Sequence, residues 1–440
     1  MRHDEKPIRA ATLGNPATGT RDSGWFSATN AWNQNFGDGN AGNQNNNNKN
    51  NTNKRVRPVR KSTVAVTGPE VTINEVLTAY LDCRKRKRSR DTTTLFELNL
   101  TRNIADIKHA LHNQTWQPGS SMCFVVTSPK PREVWAATFA DRVVHHVIYN
   151  RLRPRIEPGF ISTSFACIKQ RGALAGAQWA HQALRRSTNG WSQTAWALQL
   201  DIANFFPTID RHILWQLLER HCHEEWLRTA TYRVVFHNVI DNAYFPGDPA
   251  KLLLIPKAKS LWHAPADKGL PIGNLTSQFA ANVYLNEVDW FIKDTIRPEH
   301  YGRYVDDLLL VDRDKDKLID ARNRIQHYLE NQLLLALHHG KTHLQRVEHG
   351  VDFVGWRLMP HRRYLRRGTV NRARQAFKDH ADDAEALLAS LNSYLGIARH
   401  GNTWNLRGHW LKEATSNSQL LAAPDRTKAI GRKNAVLRTR

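Results

Sequence analysis

Two short apolar runs that end in acidic residues are the clearest hydrophobic pattern in the chain. Leu308 to Val311 is wholly apolar and Trp196 to Leu200 nearly so, and runs of this length predict strands buried in a sheet. Asp306 and Asp307 stand directly before the first run, and Asp201 directly follows the second. The pattern therefore predicts two buried strands that carry carboxylates at their ends.

Other elements can be predicted from the same pattern. Cys123 to Val126 predicts a strand, and the apolar positions Leu95, Leu98, Ile104, Ile107 and Leu111 recur at helical spacing over Leu95 to His112. Asp210 is placed to cap a helix that starts at Arg211. A glycine turn at Gly273 predicts the start of a helix that runs through Leu285. Four prolines make residues 245–268 an irregular insertion.

Both ends of the chain are polar. Residues 1–62 include an asparagine-rich, low-complexity stretch and a basic run, and this composition predicts disorder. Residues 422–440 are polar and basic, and we expect them to be disordered as well.

The composition points to a polyanionic partner. The 440 residues carry a formal net charge of +23 and give a pI of about 10.1. The basic residues are spread along the chain instead of lining one amphipathic helix, which favours nucleic acid over a membrane surface. No apolar run is long enough to cross a membrane and no signal-peptide pattern follows Met1, so we expect a cytoplasmic protein. The four cysteines lack metal-ligand spacing, so a structural zinc is not expected.

The acidic residues beside the strands indicate a metal site. Burying carboxylates is costly unless a cation pairs with them, and carboxylate oxygens suit Mg²⁺ or Mn²⁺. A solvated turn is the alternative for Asp306 and Asp307 alone. Together with Asp201, they could hold two ions roughly 3.5–4 Å apart, the arrangement that activates an attacking hydroxyl and stabilises a leaving pyrophosphate.

Tyr304-Val305-Asp306-Asp307 and the preceding Asp201 resemble the catalytic motifs of reverse transcriptases. The resemblance implies an α+β right-hand polymerase fold: N-terminal extension and fingers over residues 63–195, a palm with an antiparallel sheet over 196–360, and a helical thumb over 361–421. It also implies two Mg²⁺ ions, with Mn²⁺ as an alternative, bound by the three aspartates and the carbonyl of Ile202. The substrates implied are deoxynucleoside triphosphates (dNTPs), a template RNA and an RNA/DNA hybrid.

The same resemblance implies further contacts. The residues expected to bind the dNTP are Lys130, Arg132, Arg142, Phe206, Ile272, Gly273, Gln278 and Lys341. Phe206 would be the aromatic gate that excludes a 2′-hydroxyl, and Lys341 a general acid for pyrophosphate. The residues expected to contact primer or template are Arg84, Lys85, Arg86, Lys87, Arg88, Tyr304, Val305, Gly355 and Trp356. The alternatives for these positions are surface ion pairs, solvated basic residues or core packing.

Two features resemble the reverse transcriptases of diversity-generating retroelements. Ile272-Gly273-Asn274-Leu275-Thr276-Ser277-Gln278 stands where most reverse transcriptases carry Gln-Gly-x-x-x-Ser-Pro. Residues 23–60 resemble the C-terminal end of the ligand-binding proteins that these elements diversify, as a template repeat would encode it. The resemblance implies error-prone copying at adenines, mutagenic retrohoming and a small basic accessory protein. An antiphage defence reverse transcriptase, a group II intron-like enzyme and an RNA-binding protein with a silent palm remain the alternatives.

Overall fold

The computed structural model describes residues 69–415 and 420–431. The predictions for residues 1–62 and for 432–440 lie outside these residues. Within the described part of the chain, no helix combines the length and the apolar character needed to cross a membrane.

The N-terminal part consists of helices around a small sheet. Its helices are α1 (Ile73–Arg84), α2 (Asp91–Leu98), α3 (Leu100–His112), α4 (Phe139–Ile156) and α5 (Ala173–Ser187). Its strands are β1 (Ser121–Val126), which confirms the predicted strand, and β2 (Arg132–Ala137). These two strands form an antiparallel hairpin whose tip includes Lys130.

The helix predicted over Leu95 to His112 is wrong, because the structure has two helices that meet at Asn99. This residue has φ −124° and ψ 39°, which is outside the helical range. Leu95 and Leu98 are 65% and 72% exposed, whereas Phe96 is buried and stacks on Tyr80. The spacing of the leucines therefore does not mark the buried face.

The central part is an antiparallel sheet backed by helices. The strands are β3 (Trp196–Asp201), β5 (His300–Tyr304), β6 (Asp307–Asp312) and β7 (His343–Arg346), in the order β5-β6-β3-β7, and β4 (Ala243–Tyr244) joins β1 instead. The helices are α6 (Phe205–Thr208), α7 (Arg211–Glu219), α8 (Glu225–Phe236), α9 (Leu275–Trp290) and α10 (Lys315–Gln332). The Asp210 carboxylate caps α7 by accepting from the N–H groups of His212 and Ile213, as predicted.

The apolar run of β6 is continuous because both faces of this strand are covered. Leu308 and Leu310 pack in a core shared with the helices behind the sheet. Leu309 and Val311 face a second core, which includes α5 and the C-terminal helices. All four side chains are 0% exposed, so the sheet edge that carries the aspartates rests on a rigid base.

The C-terminal part combines a small sheet with three helices. The strands are β8 (Val351–Phe353), β9 (Trp356–Met359) and β10 (Arg362–Leu365), and the helices are α11 (Arg367–Asp379), α12 (Ala384–Ala398) and α13 (Trp404–Thr415). The hairpin of β11 (Leu420–Ala422) and β12 (Ala429–Gly431) follows.

The disorder expected from residue 422 onward is wrong for residues 422–431. The Asn392 side chain of α12 bonds to both backbone groups of Ala429, at 2.7 and 3.0 Å. Arg407 of α13 donates to the carbonyls of Asp425 and Arg426. These long-range contacts hold a polar segment whose local composition predicts no order.

The structure also shifts two expected boundaries. Helix α5 packs on strands β5 and β6, so it belongs with the central sheet although it precedes residue 196. Strand β10 pairs with β9, so the boundary expected at residue 361 falls inside a continuous sheet. The expected insertion over 245–268 is mainly irregular, with three short 3₁₀ turns.

Candidate active site

The three aspartates meet at one edge of the central sheet. Strand β3 runs antiparallel to β6, and Asp201 stands directly opposite Asp307. The N–H of Ile202 donates to the carbonyl of Asp306 at 3.2 Å. The juxtaposition predicted for the two strand ends is therefore confirmed, and Asp201, Asp306, Asp307 and the Ile202 backbone share one small region.

A buried ion pair supports the turn that carries Asp306. Val305 is β-branched yet has φ +55°, a left-handed conformation that such residues rarely adopt. Its carbonyl accepts from Arg303 Nη1 at 2.9 Å. Arg303 in turn pairs with Asp289 at 2.7 Å, and both side chains are at most 1% exposed. The sequence alone does not reveal this pair, because no motif marks Asp289 near the end of α9. The available signal was a charged residue, Arg303, directly before the Tyr304-Val305-Asp306-Asp307 motif.

The carboxylates repel one another. Burial and the like charge of Asp201 raise the pKa of Asp306 to about 6. Burial and the charges of Asp306 and Asp201 raise the pKa of Asp307 to about 8. Lys341 supplies a positive charge, because its Nζ forms an ion pair with Asp201 Oδ2. The edge of the sheet thus holds excess negative charge that a further cation would neutralise.

The donor set fits Mg²⁺ or Mn²⁺ in a particular way. In residues 69–415 and 420–431, no group of three or more His, Cys, Asp or Glu side chains is preformed as a metal cage. Mg²⁺ is commonly held by one or two carboxylates together with substrate phosphates instead of an all-protein cage. The pKa values of Asp306 and Asp307 remain raised although nearby cations lower them, so these two hard oxygen ligands fit such a shared site.

Two of the predicted cations lie near this edge. The positive charge of Arg132, at the start of β2, lowers the pKa of Asp306, as does that of Lys341. Lys130 lies in the exposed tip of the same β1–β2 hairpin. The hairpin thus places Arg132 close enough to Asp306 to affect its pKa.

A backbone hydrogen bond connects Phe206, the predicted aromatic gate, to the segment that leads into the Gly273 turn. Phe206 belongs to α6, a short helix that starts four residues after Asp201, and its carbonyl accepts from the N–H of Leu270 at 2.9 Å. The carbonyl of Ile272 accepts from Trp135 N–H at 2.7 Å. Gly273 has φ +124°, and a Cβ there would lie 2.5 Å from the Trp135 carbonyl oxygen. Gln278 is half-buried in the first turn of α9. The turn therefore brings α9, α6 and β2 together.

Arg142 lies elsewhere. Its guanidinium is 5.3 Å from the centre of the Phe139 ring, and the charged groups that affect its pKa are Cys83 and Arg90. None of these is an active-site aspartate. The structure places Arg142 among the N-terminal helices and does not bring it to the dNTP site predicted for it.

The basic run after α1 is partly neutralised. Arg84 pairs with Glu97 and Lys85 with Asp82, both at 2.5 Å. Burial and the positive charge of Arg142 lower the pKa of Lys87. Arg86 and Arg88 are exposed. The run is therefore less available to RNA than five successive basic residues suggest.

The residues predicted to contact the primer differ in exposure. Tyr304 and Val305 are half-buried beside the aspartates. Gly355 has φ +86° and turns the β8–β9 hairpin, as predicted. The Trp356 side chain is only 4% exposed and belongs to the second core. The primer contact predicted for this ring is corrected to a packing role, because the indole has almost no free surface.

One family model and two known proteins are similar to this chain. Residues 127–358, more than half of the chain, match the family model described as reverse transcriptase (RNA-dependent DNA polymerase). Protein YkfC of Escherichia coli (strain K12) is 20% identical over 305 residues, which cover 60% of this chain and 74% of that protein. A structure of apo telomerase from Candida tropicalis, truncated from its C-terminal domain, is 9% identical with a TM-score of 0.40. That match covers 56% of this chain and 55%, or about half, of the telomerase chain.

The chain belongs to the reverse transcriptase family. It has the right-hand polymerase fold and is an RNA-directed DNA polymerase, an enzyme that takes an RNA template and nucleotide substrates. Enzymes of this family generally use divalent metal ions.

Proposed function

We propose that this enzyme copies a template-repeat RNA into cDNA for mutagenic retrohoming in a diversity-generating retroelement, with frequent errors at adenines. The observation that carries the proposal is the combination of the three converging aspartates with an Ile272 to Gln278 segment that packs on β2. A small basic accessory protein and a cytoplasmic location belong to the same proposal.

The positions of the side chains support the following catalytic roles. Asp201, Asp306, Asp307 and the Ile202 carbonyl would hold two Mg²⁺ ions, which when bound activate the 3′-hydroxyl and stabilise the leaving pyrophosphate. Lys130 and Arg132 hold the triphosphate at the β1–β2 hairpin. Charges aimed at phosphoryl oxygens stabilise the negative charge that develops during transfer.

Two further residues act on the nucleotide. Lys341, held beside Asp201, donates a proton to the leaving pyrophosphate. Phe206 excludes a 2′-hydroxyl and so favours deoxynucleotides. Ile272 offers no side-chain hydrogen bond, which weakens discrimination between correct and incorrect base pairs opposite adenine.

Primer extension on an RNA template tests the polymerase assignment. With Mg²⁺ and dNTPs, the wild type should extend a DNA primer, and Asp306→Ala should lower the rate by at least about a thousandfold. Asp320→Ala is the matched control, because Asp320 is an exposed residue of α10. Equal rates for Asp306→Ala and the wild type would disprove the assignment.

Sequencing the cDNA tests the diversification role. The wild type should misincorporate mainly opposite adenine, and Ile272→Gln should reduce those errors more than errors opposite other bases. The DNA around the gene should also contain a near-copy of a template repeat that differs mainly at adenines. An even error spectrum without such a repeat would favour an antiphage or intron-like reverse transcriptase.

A further inference from the structure

The insertion over residues 245–268 is fastened to the β1–β2 hairpin by a buried carboxylate. Glu133 of β2 is 2% exposed and accepts from Ser260 Oγ at 2.7 Å and from Leu261 N–H at 2.5 Å. The indole N–H of Trp135 donates to the same carboxylate at 3.2 Å. A buried carboxylate with three donors fixes its partners tightly, because each lost bond would leave a buried charge unsatisfied.

Apolar packing also holds the insertion against β2. Leu261 is 5% exposed and packs in a small core with Cys123 and Trp135. The ring of Trp262 lies 5.5 Å from that of Trp135. The backbone around Ser260 is therefore held rigidly on the strand that begins with Arg132.

This attachment determines the position of Lys259, the residue before Ser260. The 3₁₀ turn Lys257–Lys259 packs against helix α6, which carries Phe206. Lys259 is an exposed residue. Its pKa is lowered first by partial desolvation and then by the positive charges of Lys130, Lys341 and Arg132, whereas the negative charge of Asp201 raises it. Lys259 is therefore held between β2, which begins with Arg132, and α6, which starts four residues after Asp201.

We infer that Lys259 binds the triphosphate of the incoming nucleotide and the pyrophosphate released from it, together with Lys130, Arg132 and Lys341. The inference rests on the proposed catalytic site and adds a substrate-binding residue from the insertion. A duplex backbone is the less suitable ligand, because Lys341 and Arg132 act on Asp201 and Asp306, where the triphosphate reacts.

A phosphate chain is a suitable ligand for these basic side chains, because its oxygens can accept a hydrogen bond from each of them. The metal ions that the aspartates would hold also bind phosphate oxygens, so the negative charge of the sheet edge would not repel the triphosphate. Because the fixed backbone at Ser260 holds Lys259 in place beforehand, less entropy is lost on binding than for a lysine on a free loop.

The test compares Lys259→Ala with Lys257→Ala, an exposed lysine of the same turn. In RNA-templated primer extension, Lys259→Ala should raise the KM for dNTP and the inhibition constant for pyrophosphate about tenfold. The kcat and the Kd for the RNA–DNA duplex should stay within about twofold, Lys259→Arg should recover most of the affinity, and Lys257→Ala should match the wild type.

Calorimetry with inorganic pyrophosphate tests the binding site without turnover. Lys259→Ala should bind pyrophosphate about tenfold more weakly than the wild type and Lys257→Ala. Unchanged pyrophosphate affinity, or weaker duplex binding with an unchanged KM for dNTP, would overturn the inference. If the wild type fails to copy RNA, the proposed function fails, and calorimetry still decides the role of Lys259.

Discussion

Phe206 gives the most specific prediction about substrate choice. The residue is half-buried on α6, and the bond from Leu270 to its carbonyl fixes the helix. Phe206→Ala should open space beneath the sugar and lower the preference for dNTPs over ribonucleotides about a hundredfold. The ratio of the kcat/KM values for the two substrates measures this preference. Phe206→Tyr keeps the ring and should keep the preference; an unchanged ratio for Phe206→Ala would show that the gate lies elsewhere.

The raised pKa values of the carboxylates predict a pH-dependent stability for the metal-free protein. Asp306 and Asp307 have ordinary values of 3.8 that rise to about 6 and about 8 on folding. Their contribution therefore stabilises the fold below pH 3.8 and is lost as the pH rises through 6 and 8. Asp307→Asn should be more stable than the wild type at pH 9, and the difference should shrink toward pH 4.

Urea unfolding in EDTA across this pH range measures that difference. Asp320→Asn changes an exposed carboxylate and should track the wild type at every pH. A difference between Asp307→Asn and the wild type that does not change with pH would contradict the raised pKa of Asp307.

The acids could be predicted from the sequence more readily than their surroundings. Asp201 and Asp307 adjoin short apolar runs, so their strands and their meeting could be predicted from local pattern. The Asp289 partner of Arg303 could not, because no motif marks Asp289 although it lies only 14 residues before Arg303. The Glu133 anchor of the insertion could not either, because Glu133 and Leu261 are distant in sequence. Arg142 was predicted to bind the dNTP from its place in a motif, but in the fold it lies near Cys83 and Arg90 instead of the aspartates.

At the level of elements, the β5–β6 turn depends on α9. Asp289 ends a chain of contacts that runs through Arg303 to the carbonyl of Val305. Arg303→Met should lower the free energy of unfolding by roughly 3–5 kcal/mol, because it leaves a buried charge unpaired. Adding Asp289→Asn to this variant should cost less than the sum of the two single changes.

Urea unfolding of the four proteins in this cycle measures the coupling. Arg324→Met removes an exposed partner of Asp320 on α10 and should change the free energy of unfolding by less than about 1 kcal/mol. Additive effects of Arg303→Met and Asp289→Asn on the free energy of unfolding would contradict the proposal that this ion pair supports the β5–β6 turn. Nucleotide addition should also slow in Arg303→Met at temperatures where the protein remains folded, since the turn loses its bond to Val305.

Elements with a strong local signal were predicted well, and elements defined by tertiary contacts were not. Strand β6 and the cap of α7 follow from the sequence directly. The break at Asn99 was missed because the leucines on either side keep a helical spacing. Trp356 was assigned to the primer because the motif gave no sign that its ring is buried.

At the scale of the whole molecule, the C-terminal hairpin ties the last helices together. Asn392→Ala removes both bonds to Ala429, and the loss should destabilise the hairpin by about 1–3 kcal/mol. Hydrogen exchange over residues 420–431 should then become faster. The exposed Asn405→Ala is the control and should leave exchange unchanged. Equal protection in Asn392→Ala would show that the hairpin is held by other contacts.

The most direct test of the central claim is to locate the bound metal. With an RNA–DNA duplex, a chain-terminated primer and the next dNTP, Fe²⁺ can replace Mg²⁺. On addition of hydrogen peroxide, the bound Fe²⁺ produces hydroxyl radicals that cut the protein backbone near its binding site. The account predicts cuts next to Asp201 and next to Asp306 and Asp307, which Mg²⁺ suppresses and Asp306→Asn abolishes. Cuts at other places in the chain, or the same cuts in Asp306→Asn, would contradict it.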